Sequence, residues 1–166
     1  MFAGRPDGTN LRGILVSESE WGGDRTVMGI AEGYVSVRFD GRIVRISKNG
    51  GEVSTVCEGS WDVRDILVDD DRVYFNDFAS GDLWAVPKAG GTPWVLASPG
   101  TMGNQMAMDE GYIYFSVVGG VQRIAKSGGS PELITSESRG YALAVDDDYV
   151  YWGTLFGTVQ RVRKPD

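Results

Sequence analysis

The sequence DDDYVYWGTLFGTVQRVRK at residues 146–164 decides the fold, because its pattern occurs four times in the chain. A triplet rich in Asp, Glu or Gly precedes an alternating strand pattern, and a glycine turn, a second strand and a lysine follow. The triplets begin at residues 31, 69, 109 and 146. The closing lysines are Lys48, Lys88, Lys126 and Lys164, at spacings of 40, 38 and 38 residues. A constant period of this length indicates a repeat architecture.

Each copy contains four short runs with the composition of β-strands. Val, Ile, Tyr, Phe and Trp dominate the runs, whereas Gly, Asp, Asn and Pro fill the gaps between them. Strand A precedes the triplet, strand B follows it, strand C precedes the lysine, and strand D follows the next glycine turn. Strand A is predicted at residues 27–30, 66–68, 106–108 and 143–145. Four antiparallel strands in about 40 residues predict one blade of a β-propeller.

The residues of the last copy also resemble a known family. Residues 150–152 (VYW) are followed by residues 157–162 (GTVQRV). This order is similar to the YWTD-like and related bacterial β-propeller repeats, in which Val-Tyr-Trp precedes Gly-X-Val-X-Arg-Val. The resemblance covers about residues 26–166 and implies the propeller fold. Those families usually close with six or more blades, whereas this chain has four repeats.

The predicted fold is all-β: a single propeller domain over residues 1–166, with four blades of four antiparallel strands. The blade units span about residues 26–59, 60–99, 100–137 and 138–166, and residues 5–19 complete the last one. Residues 5–7 (RPD) match residues 164–166 (KPD), and residues 14–19 (ILVSES) align with residues 133–138 (LITSES). We therefore expect the N-terminal strand to close the ring in a monomer. A strand-exchanged dimer or an eight-bladed assembly is the alternative.

The composition excludes several classes of function. The chain has 166 residues, a net charge of −7, no histidine and one cysteine, Cys57. A Ser-His-Asp triad, an imidazole metal site and an intrachain disulfide are therefore ruled out. The acidic charge argues against a nucleic-acid partner, and no apolar run is long enough for a membrane span. Residues 1–10 lack an apolar stretch, which predicts a cytoplasmic chain, or an extracytoplasmic one if a signal precedes it.

The candidate site lies where the D–A and B–C connections of a propeller share one face. Aromatic side chains beside Asp, Asn, Gln and Arg suit a small glycan, a peptide or a protein. The alternative is that these aromatic residues pack onto neighbouring blades and close the core. The predicted ligand-binding residues are Trp21, Arg25, Phe39, Trp61, Asp62, Asp65, Phe78, Asn104, Gln105, Arg139, Tyr141 and Phe156.

Because the sequence offers no recognisable catalytic set, a non-enzymatic binding or interaction module is the first hypothesis. Some related propellers are lyases, lactonases or hydrolases, and here Asp62 and Asp65 could form an acid–base pair. A purely structural ring or an oligomerising fragment is the third alternative. No cofactor is expected. Calcium at the triplets of residues 69–71 and 146–148 is the alternative to simple turn chemistry.

Overall fold

The computed structural model describes residues 2–3, 12–13, 28–30, 34–39, 41–49, 53–136, 142–154 and 157–165. Every regular element in these ranges is a β-strand, and they contain no helix that could span a bilayer. The strands are β1 Phe2–Ala3, β2 Arg12–Gly13, β3 Met28–Ile30, β4 Tyr34–Phe39, β5 Arg42–Ser47, β6 Val53–Glu58, β7 Val63–Val68, β8 Arg72–Asp77, β9 Asp82–Pro87, β10 Trp94–Ala97, β11 Met102–Met108, β12 Tyr112–Val117, β13 Gly120–Ala125, β14 Glu132–Thr135, β15 Ala142–Val145, β16 Tyr149–Gly153 and β17 Val159–Arg163.

The strands form antiparallel sheets that follow the chain in order. Strands β3–β6 form unit 1, β7–β10 unit 2, β11–β14 unit 3 and β15–β17 unit 4. Strands A to D of the sequence pattern are therefore present in this order. Two A strands begin several residues before their predicted positions, β7 at Val63 and β11 at Met102. Asp65, Asn104 and Gln105 consequently lie within strands and not in the D–A loops where the sequence placed them.

The N-terminal residues form a separate small sheet. Phe2 pairs with Gly13 and Ala3 with Arg12. Unit 4 has three strands in the part of the chain that the structure describes, ordered β15-β16-β17. The strand that the sequence predicted at residues 14–19 lies outside the described residues.

The hydrophobic core lies at the junctions between successive units. Strand β7 packs against β3 on one side and β11 on the other, and β11 packs against β15. Residues of two neighbouring units contribute to each junction. At the junction of units 1 and 2, Ile43 and Val56 pack with Ile66 and Phe75. Each described junction is therefore filled by apolar residues of two neighbouring units, as expected for a repeat protein.

The first Asp of each acidic triplet has a defined structural role. Oδ1 of Asp109 accepts hydrogen bonds from the N–H groups of Gly111 (3.0 Å) and Tyr112 (2.8 Å). Its Oδ2 accepts the hydroxyl of the buried Tyr114 at 2.8 Å and the ammonium of Lys164 at 2.7 Å. Burial alone would raise the pKa of Asp109, but the hydrogen bonds from Lys164, Tyr112, Tyr114 and Gly111 together lower it. Burial and the bond to Asp109 raise the pKa of Tyr114 to about 12.

Asp69 and Asp146 repeat this arrangement with Tyr74 and Tyr151. The triplets that begin at residues 69, 109 and 146 are thus strand-connecting turns whose first carboxylate bonds to its own turn. In the described ranges, no three His, Cys, Asp or Glu side chains are placed to hold a metal ion.

The lowered pKa of Asp109 gives a pH-dependent prediction. Its ionised carboxylate contributes stability above the ordinary Asp pKa of about 3.9, and this contribution is lost as the pH falls through the depressed value. We expect Asp109→Asn to lower the free energy of unfolding at pH 7 by about 1–3 kcal/mol, because Tyr114 and Lys164 lose their charged acceptor. Urea titrations at pH 7 and pH 3 measure this difference, which should shrink at pH 3. Asp147→Asn, at an exposed carboxylate of another triplet, is the control. An equal loss at both pH values would contradict the assignment.

Candidate binding face

The D–A and B–C connections meet on one face, as the sequence predicted. In unit 2, the N–H of Asp62 donates to Oδ1 of Asp77 at 2.9 Å, and the N–H of Phe78 donates to the carbonyl of Asp62 at 2.9 Å. A Cβ atom on Gly81, which has φ +76°, would lie 2.5 Å from the carbonyl of Gly100. Only glycine therefore allows the next D–A connection to approach the B–C turn so closely.

Asp62, Arg64 and Phe78 contact one another on this face and are here called the Phe78 cluster. Arg64 binds the Asp62 carboxylate with two hydrogen bonds, Nε to Oδ1 at 2.8 Å and Nη2 to Oδ2 at 2.6 Å. Its guanidinium lies over the Phe78 ring, 4.6 Å from the centroid. The Phe78 side chain is 45% exposed. A paired guanidinium stacked on an exposed ring presents apolar and charged atoms together in a fixed arrangement.

Asp65 is held by backbone groups and links two units. Its Oδ2 accepts the N–H of Met106 in unit 3 at 2.6 Å, and its Oδ1 accepts the N–H of Ile66 at 2.9 Å. Burial raises the pKa of Asp65 above its ordinary value, although both backbone bonds lower it. Both carboxylate oxygens therefore satisfy main-chain donors at the junction of units 2 and 3.

The reason for this arrangement is a pair of β-bulges in the A strands. The register between β7 and β8 shifts between Val63 and Ile66, and that between β11 and β12 shifts between Met102 and Met106. A bulge frees backbone groups that need other partners. In unit 2, Oδ1 of Asn76 accepts the N–H groups of Arg64 (2.9 Å) and Asp65 (2.8 Å), and its Nδ2 donates to the carbonyl of Gly103 at 2.9 Å.

Asn104 and Gln105 lie in the bulged part of β11 and are half-buried. Oδ1 of Asn104 is buried without a hydrogen-bond partner, and so is Oγ of Ser116 on β12. In unit 3, Ser116 follows Phe115 on strand B as Asn76 follows Phe75 in unit 2. The shorter serine makes none of the three side-chain bonds that Asn76 makes.

Trp61 packs against the core beneath the face. Its ring meets the buried Phe75 edge-on at 4.9 Å and lies 5.6 Å from the Trp84 ring. A Cβ atom on Gly59 would overlap the Trp61 ring. The position matches the alternative in which this tryptophan closes the core at the junction of units 1 and 2.

Several predicted residues lie outside the described ranges. These are Trp21, Arg25, Arg139, Tyr141 and Phe156, together with the side chain of Phe39. The structure therefore places Asp62 and Phe78 together on the face. Trp61 lies beneath them against the core, and Asp65, Asn104 and Gln105 lie in the bulged strands.

Sequence reasoning missed one exposed apolar residue of the face. Val118 is 70% exposed and follows the last residue of β12, as Phe78 follows the last residue of β8. The search for aromatic residues at the B–C turns overlooked this aliphatic side chain. The signal was available, because a repeat alignment places Val118 and Phe78 at the same position.

Comparisons with solved structures identify the type of fold. The chain is similar to a protein in the crystal structure of a nidogen/laminin complex, with a TM-score of 0.71, 11% identity and coverage of 82% of this chain and 58% of that one. The computationally designed Ika4 protein gives a TM-score of 0.70 at 16% identity, with 87% and 94% coverage. Streptogramin B lyase gives a TM-score of 0.57 at 16% identity, with 84% and 54% coverage.

These similarities confirm the predicted resemblance to β-propeller repeats. The chain is an all-β protein of antiparallel sheets with the architecture of propeller proteins. It spans about three fifths of the matched nidogen chain. No protein-family model and no curated protein sequence matches it.

The placement of Trp61 predicts a structural effect on mutation. We expect Trp61→Ala to lower the free energy of unfolding by about 2–3 kcal/mol, because the large ring leaves a cavity beside Phe75 and Trp84. Phe78→Ala should change it by less than about 0.5 kcal/mol, since the ring is largely on the surface. Chemical denaturation of both variants measures the difference. Equal losses would mean that Phe78 is a core residue and not part of an exposed site.

Proposed function

We propose that this chain is a non-enzymatic binding module that uses the D–A/B–C face to hold a peptide segment of a partner protein. The observation that carries the proposal is the Phe78 cluster, in which an exposed ring is fixed by a guanidinium that is itself held by Asp62. Aromatic and Arg side chains contribute disproportionately to protein interfaces. Val118 extends the apolar surface to the equivalent turn of unit 3.

Two further observations favour binding over catalysis. Asp62 is paired with Arg64, and both oxygens of Asp65 accept backbone N–H groups. A carboxylate that satisfies the main chain in this way is poorly placed for proton transfer to a substrate. The propeller neighbours include both types, since one belongs to a nidogen/laminin complex and another is streptogramin B lyase. The contacts of Asp62 and Asp65 argue for the first type here.

We further propose that the four units form a ring closed by the strand at residues 14–19, in a monomer. Strand β17 has β16 on one side and no partner on the other among the described strands. A cavity of about 300 Å³ lies beside it, lined by Thr135, Trp152, Gln160, Arg161 and Val162. An open strand edge of this kind can pair with a further strand, which suits the strand predicted at residues 14–19.

A peptide selection tests the binding proposal. A library of random 12-residue peptides on phage is selected against the wild-type chain, and the enriched peptides are measured by fluorescence anisotropy. We expect Phe78→Ser to weaken their binding at least tenfold, because the anchor ring is lost. Leu133→Ser is the matched control, since Leu133 is exposed on the outer strand β14.

Peptides that bind both variants as well as the wild type would contradict the proposed face, and so would a failure to enrich any peptide. A glycan array tests whether the same face binds glycans and not peptides. Glycan binding that depends on Phe78, without peptide binding, would overturn the peptide assignment while retaining the face.

A further inference from the structure

An ion pair joins successive units at two places on the face opposite the Phe78 cluster. Nζ of Lys126 in unit 3 lies 3.2 Å from Oδ2 of Asp69 in unit 2. Nζ of Lys164, which follows β17 of unit 4, lies 2.7 Å from Oδ2 of Asp109 in unit 3. The four side chains are between 14% and 25% exposed. We call this contact the junction pair: the lysine after strand C of one unit and the first Asp of the triplet in the unit before it.

The junction of units 1 and 2 shows that the triplet sequence decides whether a pair can form. The residue of unit 1 equivalent to Asp69 is Ala31, which has no carboxylate. Lys88 of unit 2 donates instead to the backbone carbonyl of Asp70, within its own unit, at 3.2 Å. A lysine is therefore present at each of the three described junctions. The ion pair is seen at the two junctions where the preceding unit has an Asp at the first position of its triplet.

An arginine accompanies each described junction. Nη1 of Arg45 donates to the carbonyl of Lys88 at 3.2 Å, and Nη1 of Arg123 donates to the carbonyl of Pro165 at 3.0 Å. In unit 2, Ala85 replaces the arginine of strand C, and Arg72 of strand B donates to the carbonyl of Lys126 at 2.7 Å. An arginine of unit 2 thus also donates to a backbone carbonyl of the next unit, although it lies on strand B and not on strand C. This recurrence indicates that the contact matters for joining units.

Asp146 of unit 4 and Lys48 of unit 1 occupy the two positions of a further junction pair, at opposite ends of the described array. Asp146 of unit 4 accepts the N–H groups of Asp148 and Tyr149 and the hydroxyl of Tyr151, as Asp69 and Asp109 do in their units. Unlike them, it is exposed. Lys48 of unit 1 is exposed as well, whereas Lys88, Lys126 and Lys164 are half-buried. Among the described residues, neither Asp146 nor Lys48 has an ion-pair partner.

The arginine of unit 4 is also in position. Arg161 stacks over Tyr149 at 4.3 Å, as Arg123 stacks over Tyr112 at 4.2 Å. Its equivalent in unit 3 bonds to the backbone of the following unit. Unit 4 thus carries the same groups that unit 3 uses to bind the unit that follows, the first Asp of the triplet and the arginine of strand C.

We propose that Lys48 of unit 1 forms the junction pair with Asp146 of unit 4 in the same chain, and that this contact closes the ring. The inference rests on the ring closure proposed above and names the side chains that recognise the correct end. Apolar residues beside both ends agree with it, since Ile30 and Val159 are 64% and 77% exposed.

A charge-exchange cycle tests the pair. Lys48→Asp and Asp146→Lys should each lower the melting temperature by about 2–4 °C, because each places like charges at the closing junction. The double variant restores opposite charges and should destabilise the chain by less than the sum of the two single changes, although the turn bonds of Asp146 stay lost in it. The same exchange at Lys164 and Asp109 is the positive control. Lys88→Asp combined with Asp146→Lys is the negative control and should show additive effects.

Additive effects of Lys48→Asp and Asp146→Lys, with coupling at the control pair, would overturn the proposal. The melting curves are recorded over a 100-fold range of protein concentration. Coupling within one chain leaves the midpoint unchanged, whereas coupling between two copies makes it rise with concentration and would overturn the same-chain assignment. Peptide binding through Phe78 is measured separately on the same variants. Loss of the charge coupling with retained peptide binding would refute the closing pair alone.

Discussion

The rest of the structure depends on the carboxylate that ends the A strand of a unit. In Asp109, one oxygen fixes the turn that leads into strand B, and the other holds a buried tyrosine and a lysine of the following unit. A single side chain therefore connects a local turn with the packing of two units. Because apolar residues of two units fill each described junction, the geometry of these junctions sets how successive units are arranged.

Much of the fold could be predicted from the sequence because its signals are local. The triplets, the glycine turns and the alternating strands occur at constant spacing, and each is decided by residues close together in the chain. The bulges of β7 and β11 could not be predicted in this way. The bulge in β7 is satisfied by Asn76 from the neighbouring strand, and Asp65 reaches Met106 in the next unit. Such bonds are visible only when the strands are paired.

The candidate site, like the fold, could be predicted only in part from the sequence. The shared face of the D–A and B–C connections follows from propeller topology, and the bonds between Asp62, Asp77 and Phe78 agree with it. The environment of each side chain does not follow from topology. Trp61 and Phe78 are both aromatic residues near loops of unit 2, yet one packs against Phe75 and the other is on the surface. Their difference arises from tertiary packing, which a single-sequence pattern does not encode.

The central claim is that one chain forms one closed ring. Its described part ends in two open sides, with an unpaired strand edge on unit 4 and exposed apolar residues on unit 1. Light scattering after size-exclusion chromatography measures the solution mass and tests the claim most directly. The account predicts a mass near 18.0 kDa. A mass of about twice that value would contradict it, because the open sides would then be covered by a second copy of the chain.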